Sequence, residues 1–218
     1  MQRTVSTVRK IVGLGCCLAL LAGCSSNGKP AKESKQTVQG LGETRKALVR
    51  AKEQVNETTA AMNALSSGGG DVKSNYARFN QAVAETQRQR EMARKRGAEM
   101  REQADAYIAA WQREMADVDN PELRAGVEAR REKVRQNFDA IRTSAQATRD
   151  AYEPYMKDLQ DIQKVLGMDL TPQGVQTVRP VIDKANADAR VVNERLDALI
   201  AQLDNVSAGM TPTGKSAR

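Results

Sequence analysis

The sequence contains no histidine, few aromatic residues and only three cysteines. Histidine is the commonest general base and zinc ligand, so its absence excludes a Ser-His or Cys-His nucleophile pair and leaves oxygen ligands for any metal. Aromatic residues make up 3% of the chain, too few to form stacking platforms for single-stranded nucleic acid. The sequence also has no glycine-rich phosphate loop. We therefore expect neither catalysis nor a cofactor, although an enzyme built on a pair of carboxylates remains an alternative.

The three cysteines all fall within the first 24 residues. Arg3, Arg9 and Lys10 precede an apolar stretch from Ile11 to Ala22, the arrangement of a secretory signal. This stretch of about twelve residues is shorter than the roughly 20 residues that a bilayer-spanning helix needs. The segment therefore predicts secretion rather than a membrane span.

Residues 21–24, Leu-Ala-Gly-Cys, resemble the lipobox of bacterial lipoproteins. The resemblance implies cleavage after Gly23 and a lipid on the Cys24 sulfur, so that residues 1–23 are a signal peptide. An ordinary signal followed by a chance cysteine is the alternative. Ser25 resembles the pattern that directs lipoproteins to the outer membrane, where we expect the protein to face the periplasm. Cys16 and Cys17 leave with the signal, so no thiol remains for a disulfide.

The chain carries a net charge of +7, and removal of the three basic residues of the signal lowers it to +4. A mild positive excess suits anionic lipid headgroups or acidic envelope polymers, whereas the secretion signal argues against a nucleic-acid partner. A solvated helical surface that is slightly basic is the simpler interpretation, and we favour it.

Beyond a polar tether over residues 24–36, apolar residues recur at alternating steps of three and four. This spacing is typical of helices that pack side by side. It predicts helices over about residues 37–66, 72–118, 121–166 and 172–206, and short loops make neighbouring helices antiparallel. We therefore predict an all-α, elongated antiparallel four-helix bundle or coiled coil over residues 37–206, with a disordered tail over residues 207–218. The two longer central helices should project at their hairpin near Asp119.

Capping and helix-breaking residues support these boundaries. Asp71 and Asn120 can cap the second and third helices, and Gly167 is expected to end the third. Pro154 and Pro180 lie inside the third and fourth helices, where proline predicts a bend.

Two seam positions of the second helix hold unusual residues, Arg90 and Gly97. A polar seam residue can fix the register of a coiled coil at a cost in stability. A seam glycine permits close approach of two helices or makes a local weak point. The seam from Thr86 through Ala93 to Gly97 is therefore the place where an exposed apolar groove is expected, if the bundle has one.

A basic stripe lies in the middle of the second helix, formed by Arg88, Arg94, Lys95, Arg96 and Arg101. One hypothesis is that this stripe is a docking surface for an anionic envelope component. Glutamates are interspersed with these residues, so a solvated face crossed by salt bridges is the alternative, and we favour it.

A cluster of oxygen-bearing side chains lies at the predicted hairpin tip, formed by Asp117, Asp119, Asn120 and Glu122. Such side chains can bind calcium, but their spacing differs from the EF-hand pattern. Helix capping and the positive helix N-terminus explain them without a metal, so we predict no metal site.

Several motifs are similar to those of a known family: Gly69-Gly70-Asp71 with Tyr76, Trp111 before Glu114, and Pro154 followed by Leu159 and Asp161. Together they resemble a bacterial envelope family known as domain of unknown function 2959, over about residues 45–206. The resemblance implies a secreted or lipid-anchored helical protein. It supplies no activity and no catalytic residues.

Three hypotheses about function follow. The first is a lipid-anchored structural or adaptor protein that binds an envelope protein or itself through the surface of a helical rod. The second is a periplasmic holdase or stress protein that binds unfolded chains or lipid in an apolar groove. The third is an enzyme that uses a carboxylate pair. The sequence favours the first.

Overall fold

Four long helices form the part of the chain that the computed structural model describes, residues 29–67 and 71–210. They are α1 (Lys29–Ser66), α2 (Val72–Met115), α3 (Pro121–Met168) and α4 (Pro172–Met210), and those residues include no strand. The longest helix, α3, has 48 residues and is about 72 Å long at about 1.5 Å per residue. The prediction of an all-α four-helix bundle with two longer central helices is confirmed.

The helices pack as an antiparallel bundle in which α1 lies against α2 and α4, and α3 lies against α4. Thr37 reaches Gln103 of α2, and Thr148 of α3 reaches Arg195 of α4. The contact between α2 and α3 is the sparsest of the four. The bundle is therefore a ring of helices that is least tightly closed between α2 and α3.

The same antiparallel register shows how far the central hairpin extends. Counting along α1 and α2 from the first contact places Lys29, where α1 begins, opposite about residue 111 of α2. Counting along α3 and α4 from the second contact places Met210, where α4 ends, opposite about residue 133 of α3. The α2–α3 hairpin therefore extends beyond both outer helices, as its length predicted.

The predicted seams form the core. In α4 the alternating steps of three and four select ten apolar positions, and all ten are buried: Val175, Val178, Ile182, Ala185, Ala189, Val192, Leu196, Leu199, Leu203 and Val206. Phe79 and Val83 of α2 and Leu159 of α3 are also almost fully buried. The seam of α2 changes character between Arg90 and Gly97, where its residues are only partly buried.

The predicted caps are present. The Asp71 carboxylate accepts hydrogen bonds from the backbone amides of Lys73 and Ser74, at 3.3 and 3.0 Å. The Asn120 side-chain oxygen likewise accepts from the backbone amides of Glu122 and Leu123. These bonds satisfy amides that have no partner within their own helix, and so fix where α2 and α3 begin.

Both ends of the bundle extend further than the sequence predicted. Helix α1 begins at Lys29, so the predicted tether over residues 24–36 is wrong from Lys29 onward. A proline in the first turn, Pro30, is compatible with a helix because the first amides have no intrahelical partner. The tail prediction is wrong for residues 207–210, because α4 continues to Met210, whose side chain is buried. Residues 1–28, with Cys24, and 211–218 lie outside the described residues.

Two interior boundaries also differ from the prediction. Helix α2 ends at Met115 rather than near Val118, and α3 passes through Gly167 to Met168. A Cβ atom at Gly167 would lie 3.0 Å from the Tyr76 hydroxyl oxygen, so this glycine makes room for Tyr76 rather than ending the helix. Helix α3 continues without interruption through Pro154, and α4 continues through Pro180. The bends there stay predictions.

Small polar residues at heptad spacing hold α1 against α2. The hydroxyl groups of Thr44 and Thr58 donate to backbone carbonyl oxygens of α2, at 3.2 and 3.1 Å. The Thr37 hydroxyl donates to the Glu33 carbonyl oxygen of its own helix at 2.8 Å and also lies 3.2 Å from the Gln103 carbonyl oxygen of α2. Ala51 occupies the intervening heptad position and is buried. Thr58 also lies 2.7 Å from the Thr86 hydroxyl, oxygen to oxygen. Short side chains at these positions allow the two backbones to lie close together.

The Thr58–Thr86 pair gives a test of this contact. Thr58→Val keeps the side-chain shape but leaves the buried Thr86 hydroxyl without this partner, so we expect a loss of about 1–3 kcal/mol in the free energy of unfolding. In the double variant with Thr86→Val no hydroxyl is stranded, and the loss should be smaller than the sum of the single losses. Urea unfolding measures all three, with exposed Thr177→Val as the control, which should stay within about 0.5 kcal/mol. Additive losses would show that the two hydroxyl groups do not interact.

Candidate binding site

A cleft of about 880 Å³ opens in the middle of the bundle, between α2 and α3. Its α2 wall extends from Arg88 to Asp105, about 26 Å at about 1.5 Å per residue, and its α3 wall extends from Phe138 to Tyr152. Side chains of α1 and α4 contribute to its floor. The volume lies within the range of about 300–1,000 Å³ that is usual for sites that bind small molecules.

The cleft exists because α2 presents small side chains where a bundle usually places large apolar ones. Ala93, Gly97 and Ala98 line the α2 wall. A Cβ atom added at Gly97 would meet nothing within 4 Å. Of the two interpretations of Gly97, close approach of a second helix is therefore wrong, and a locally weak seam is correct.

Beyond each end of the cleft, contacts join α2 to α3. At one end the Tyr76 hydroxyl donates to the Gln163 carbonyl oxygen at 2.8 Å, and the Gln163 amide donates to the Asn80 side-chain oxygen at 2.8 Å. At the other end the Arg130 guanidinium lies 5.9 Å from the centre of the Trp111 ring. The opening is therefore bounded along its length rather than continuous from end to end.

The floor of the cleft is apolar and comes from all four helices. Its side chains belong to the buried core and border the cleft from below: Leu48, Met100, Ala104, Phe138, Ile141, Leu196, Leu199 and Leu203. Removing such surface from water is favourable by about 25 cal/mol per Å², so the floor favours an apolar occupant.

The rim of the cleft is basic. Four of the five predicted docking residues, Arg88, Arg94, Lys95 and Arg101, line it. Arg96 does not line it; its side chain pairs with Glu99, 2.7 Å from Nη1 to Oε2. The full set of charged lining residues has seven cations and two carboxylates: Arg88, Arg90, Arg94, Lys95, Arg101, Arg142 and Arg149, with Glu91 and Asp105. A docking role for the stripe stays a prediction.

Some of these cations have carboxylate partners on their own helix. Arg94 pairs with Glu91 at 3.3 Å, Arg142 pairs with Asp139 at 3.4 Å, and Arg88 pairs with Glu85. Exposed pairs of this kind contribute little to stability and are easily exchanged. The salt-bridged face that we favoured from the sequence is therefore present, and it forms one wall of the cleft. Arg90, Lys95 and Arg101 form no salt bridge with any described residue.

Two buried polar groups at one end of the cleft lack hydrogen-bond partners among the described residues. They are the hydroxyl of Tyr152, whose side chain is 4% exposed, and Nε of Arg90. The Arg90 guanidinium lies 6.0 Å from the centre of the Tyr152 ring. A buried polar group without a partner costs about 1–3 kcal/mol, so most such groups are paired. A ligand in the cleft would supply the missing partner.

Burial also affects the ionisation of three tyrosines. It raises the pKa of Tyr155 to about 12, although a hydrogen bond with Thr59 opposes the shift. Burial and then the neighbouring Tyr155 raise the pKa of Tyr152, while the nearby Arg90 lowers it. Burial likewise raises the pKa of Tyr107. These phenols therefore remain neutral in the folded protein well above the pH at which a free phenol ionises.

At the hairpin tip, the oxygen-bearing residues have a structural role. Asn120 caps α3 through its bonds with the amides of Glu122 and Leu123. Within the described ranges, no group of three or more Asp, Glu, His or Cys side chains is arranged to hold a metal ion.

The sequence interpretation missed the α3 wall of the cleft. Arg142, Arg149 and Tyr152 line the cleft opposite the predicted stripe, but only the packing of α3 against α4 brings them there. One sequence signal was available. Arg135, Arg142 and Arg149 recur every seven residues, which places them on one side of a helix.

The fold and the cleft define an all-α bundle protein with a basic-rimmed apolar cleft. A family model described as "Protein of unknown function (DUF2959)" matches residues 30–210, and the chain belongs to this family. The resemblance seen in the sequence motifs is thus confirmed. Neither the curated proteins nor the solved structures include a match to the chain. None of the four helices, as far as the chain is described, is both long and apolar enough to cross a membrane.

The raised tyrosine pKa values predict how stability depends on pH. Below about pH 10 these phenols are neutral in both the folded and the unfolded protein. Above about pH 10 the phenols of the unfolded chain lose protons that those of the folded protein keep. The free energy of unfolding should therefore fall as the pH rises from about 10 to about 12. The tyrosinate absorbance of the folded protein should lag behind that of the urea-unfolded protein, and Tyr152→Phe should reduce the lag. Coincident titration curves would contradict the burial of these rings.

Proposed function

We propose that the protein is a lipid-anchored, non-catalytic binding protein of the bacterial envelope that captures an apolar target in the cleft between α2 and α3. The observation that carries this proposal is the cleft itself, an apolar floor beneath a basic rim. It favours the second of the three hypotheses from the sequence, capture in a groove, over the first. The complete lack of histidine in the sequence supports a role without catalysis.

The proposed anchor would keep the cleft near the membrane. A lipid on Cys24 would lie five residues from Lys29, where α1 begins, a span of at most about 18 Å of extended chain. Several acyl chains hold a protein firmly, because each buried methylene contributes about 0.8 kcal/mol. A binding protein held so close to a bilayer would meet lipid-derived and membrane-protein targets at high local concentration.

The anchor is tested by Cys24→Ala in the host bacterium. The variant should incorporate no labelled palmitate and should fail to mature, because the acylated sulfur and the processing site are lost together. Wild-type protein expressed at the same level is the control. Labelling of the variant at the wild-type level would show that the lipid is not on Cys24.

Capture by the cleft can be tested in intact cells with a photo-crosslinking residue at Met92, which lines the cleft and is 48% exposed. The matched control is Val191, an exposed apolar residue of α4 that does not line the cleft. We expect adducts at position 92 and few at position 191, because of these two positions only 92 lies at the apolar cleft. Equal capture at both positions would refute the proposed function.

A second candidate function, the adaptor, has its own observation. The hairpin beyond the ends of α1 and α4 exposes Leu123, which is 62% exposed. A large apolar side chain on a projecting tip suits contact with another protein. The same crosslinking residue at position 123 would then capture a protein, whereas position 92 would not.

A further inference from the structure

Building on the proposed function, we infer that the cleft holds one long-chain fatty acid. Its carboxylate would lie beside Arg90 and Tyr152, and its acyl chain would extend along the apolar floor toward Ala104 and Phe138. This assignment names the target that the proposed function leaves open.

The size of the cleft suits one acyl chain. One leaflet of a bilayer has a hydrocarbon depth of about 15 Å, half the thickness of the bilayer's hydrocarbon core. The α2 wall of the cleft, about 26 Å long, is therefore longer than an acyl chain as it lies in one leaflet. At about 30 Å³ for a group of the size of a water molecule, a chain of about 16 to 18 carbons occupies about 500 Å³. One such chain fits in about 880 Å³, whereas two would fill more than the cleft offers.

The same dimensions argue against a helix from a partner protein. A helix with its side chains is about 10 Å across, so a segment as long as the cleft would occupy about 2,000 Å³. Widening the cleft to that extent would require α2 and α3 to move apart between the contacts that join them beyond its ends, Tyr76 with Gln163 and Trp111 with Arg130.

The charge of the rim argues for an anionic head. Cations outnumber carboxylates in the lining by seven to two. Arg90, Lys95 and Arg101 form no salt bridge with the described residues, so their charge is not offset by a direct partner. A neutral or cationic amphiphile of equal length would gain nothing from this rim.

The unpaired groups place the head at one end of the cleft. The Tyr152 hydroxyl and Arg90 Nε can both donate, both are buried without a described partner, and both belong to residues that line the cleft. Arg88 and Arg149 line the same end. A carboxylate accepts only, so it can satisfy both donors at once. The other end of the cleft has apolar Met100, Ala104 and Phe138 in its floor, which suit the hydrocarbon, beneath a rim that carries Arg101 and Asp105.

The inference can be tested with monomeric oleate and its neutral counterpart, oleyl alcohol. The full mature chain, residues 24–218 with Cys24→Ala to keep it free of its own lipid, retains all four helices and can be freed of endogenous lipid on a hydrophobic resin. Calorimetric titration should show one oleate per chain and binding of oleyl alcohol at least about tenfold weaker, because a charge-assisted hydrogen bond is lost. Absence of oleate binding, or equal affinity for the two compounds, would overturn the inference.

Gly97→Leu blocks the cleft, and Gly126→Leu is its matched control. Both glycines are helical and an added Cβ atom would meet nothing within 4 Å at either, but only Gly97 lines the cleft. We expect Gly97→Leu to lower oleate affinity at least about tenfold and Gly126→Leu to leave it unchanged, with circular dichroism confirming that both are helical. Should Gly97→Leu unfold, Ala93→Leu fills the same wall. Unchanged affinity in a folded cleft-filling variant would place oleate elsewhere.

Arg90→Met tests the position of the head. Methionine keeps an apolar stem over Tyr152 but removes the guanidinium, so oleate affinity should fall about tenfold while oleyl alcohol binding stays the same. An equal loss for both compounds would refute the placement of the carboxylate. Tight binding of dioleoylphosphatidylglycerol vesicles without binding of monomeric oleate would identify a membrane-docking surface instead and overturn the inference.

Failure of this inference is distinguishable from failure of the proposed function. Adducts at position 92 in cells, together with no oleate binding in solution, would leave the cleft as a capture site for a different apolar target. Absence of adducts at position 92 would remove the function itself.

Discussion

Threonine hydroxyls of α1 donate to backbone carbonyls of α2, and the close contact they make determines the rest of the structure. Thr37, Thr44 and Thr58 repeat with the period of the bundle, and the short Ala51 completes the row. With α2 held against α1 along this row, the middle of its wall facing α3 carries the small residues Ala93, Gly97 and Ala98. Because no large side chain fills the space, α2 and α3 meet at their ends and separate in the middle.

The chemistry of the cleft follows from that separation. An ordinary bundle would close over Leu48, Leu199 and Phe138; here they form a floor that a ligand can reach. The Tyr152 hydroxyl and Arg90 Nε would be costly in a closed core, and they remain without described partners at the cleft. Local features that lower stability without an evident gain are expected at functional sites, because selection there maintains binding rather than stability.

Much of the fold could be predicted because its determinants are local. The seam of α4 appears in the sequence as an unbroken alternation of three and four, and Asp71 and Asn120 cap the helices that they were expected to cap. The start of α1 could not be predicted in this way. Residues 29–36 look like a polar linker, and their helix continues into a turn fixed by Thr37, whose hydroxyl bonds across to Gln103. The placement of Gly167 beside Tyr76 likewise depends on a neighbour 91 positions away in the chain.

The number of helices, their antiparallel order and the exclusion of histidine chemistry can be read from the amino-acid sequence, because heptad spacing, short loops and composition act within a single segment of chain. The sequence also marks Arg90 and Gly97 as unusual seam residues, without distinguishing close approach from a weak point. That distinction depends on how the helices pack. A cleft is defined by the distance between two helices, and that distance depends on which neighbour each helix packs against. Because α2 packs against α1 rather than α3, a gap separates α2 from α3 in the middle of the bundle. The arginines of α2 and α3, together with Tyr152, surround this apolar gap.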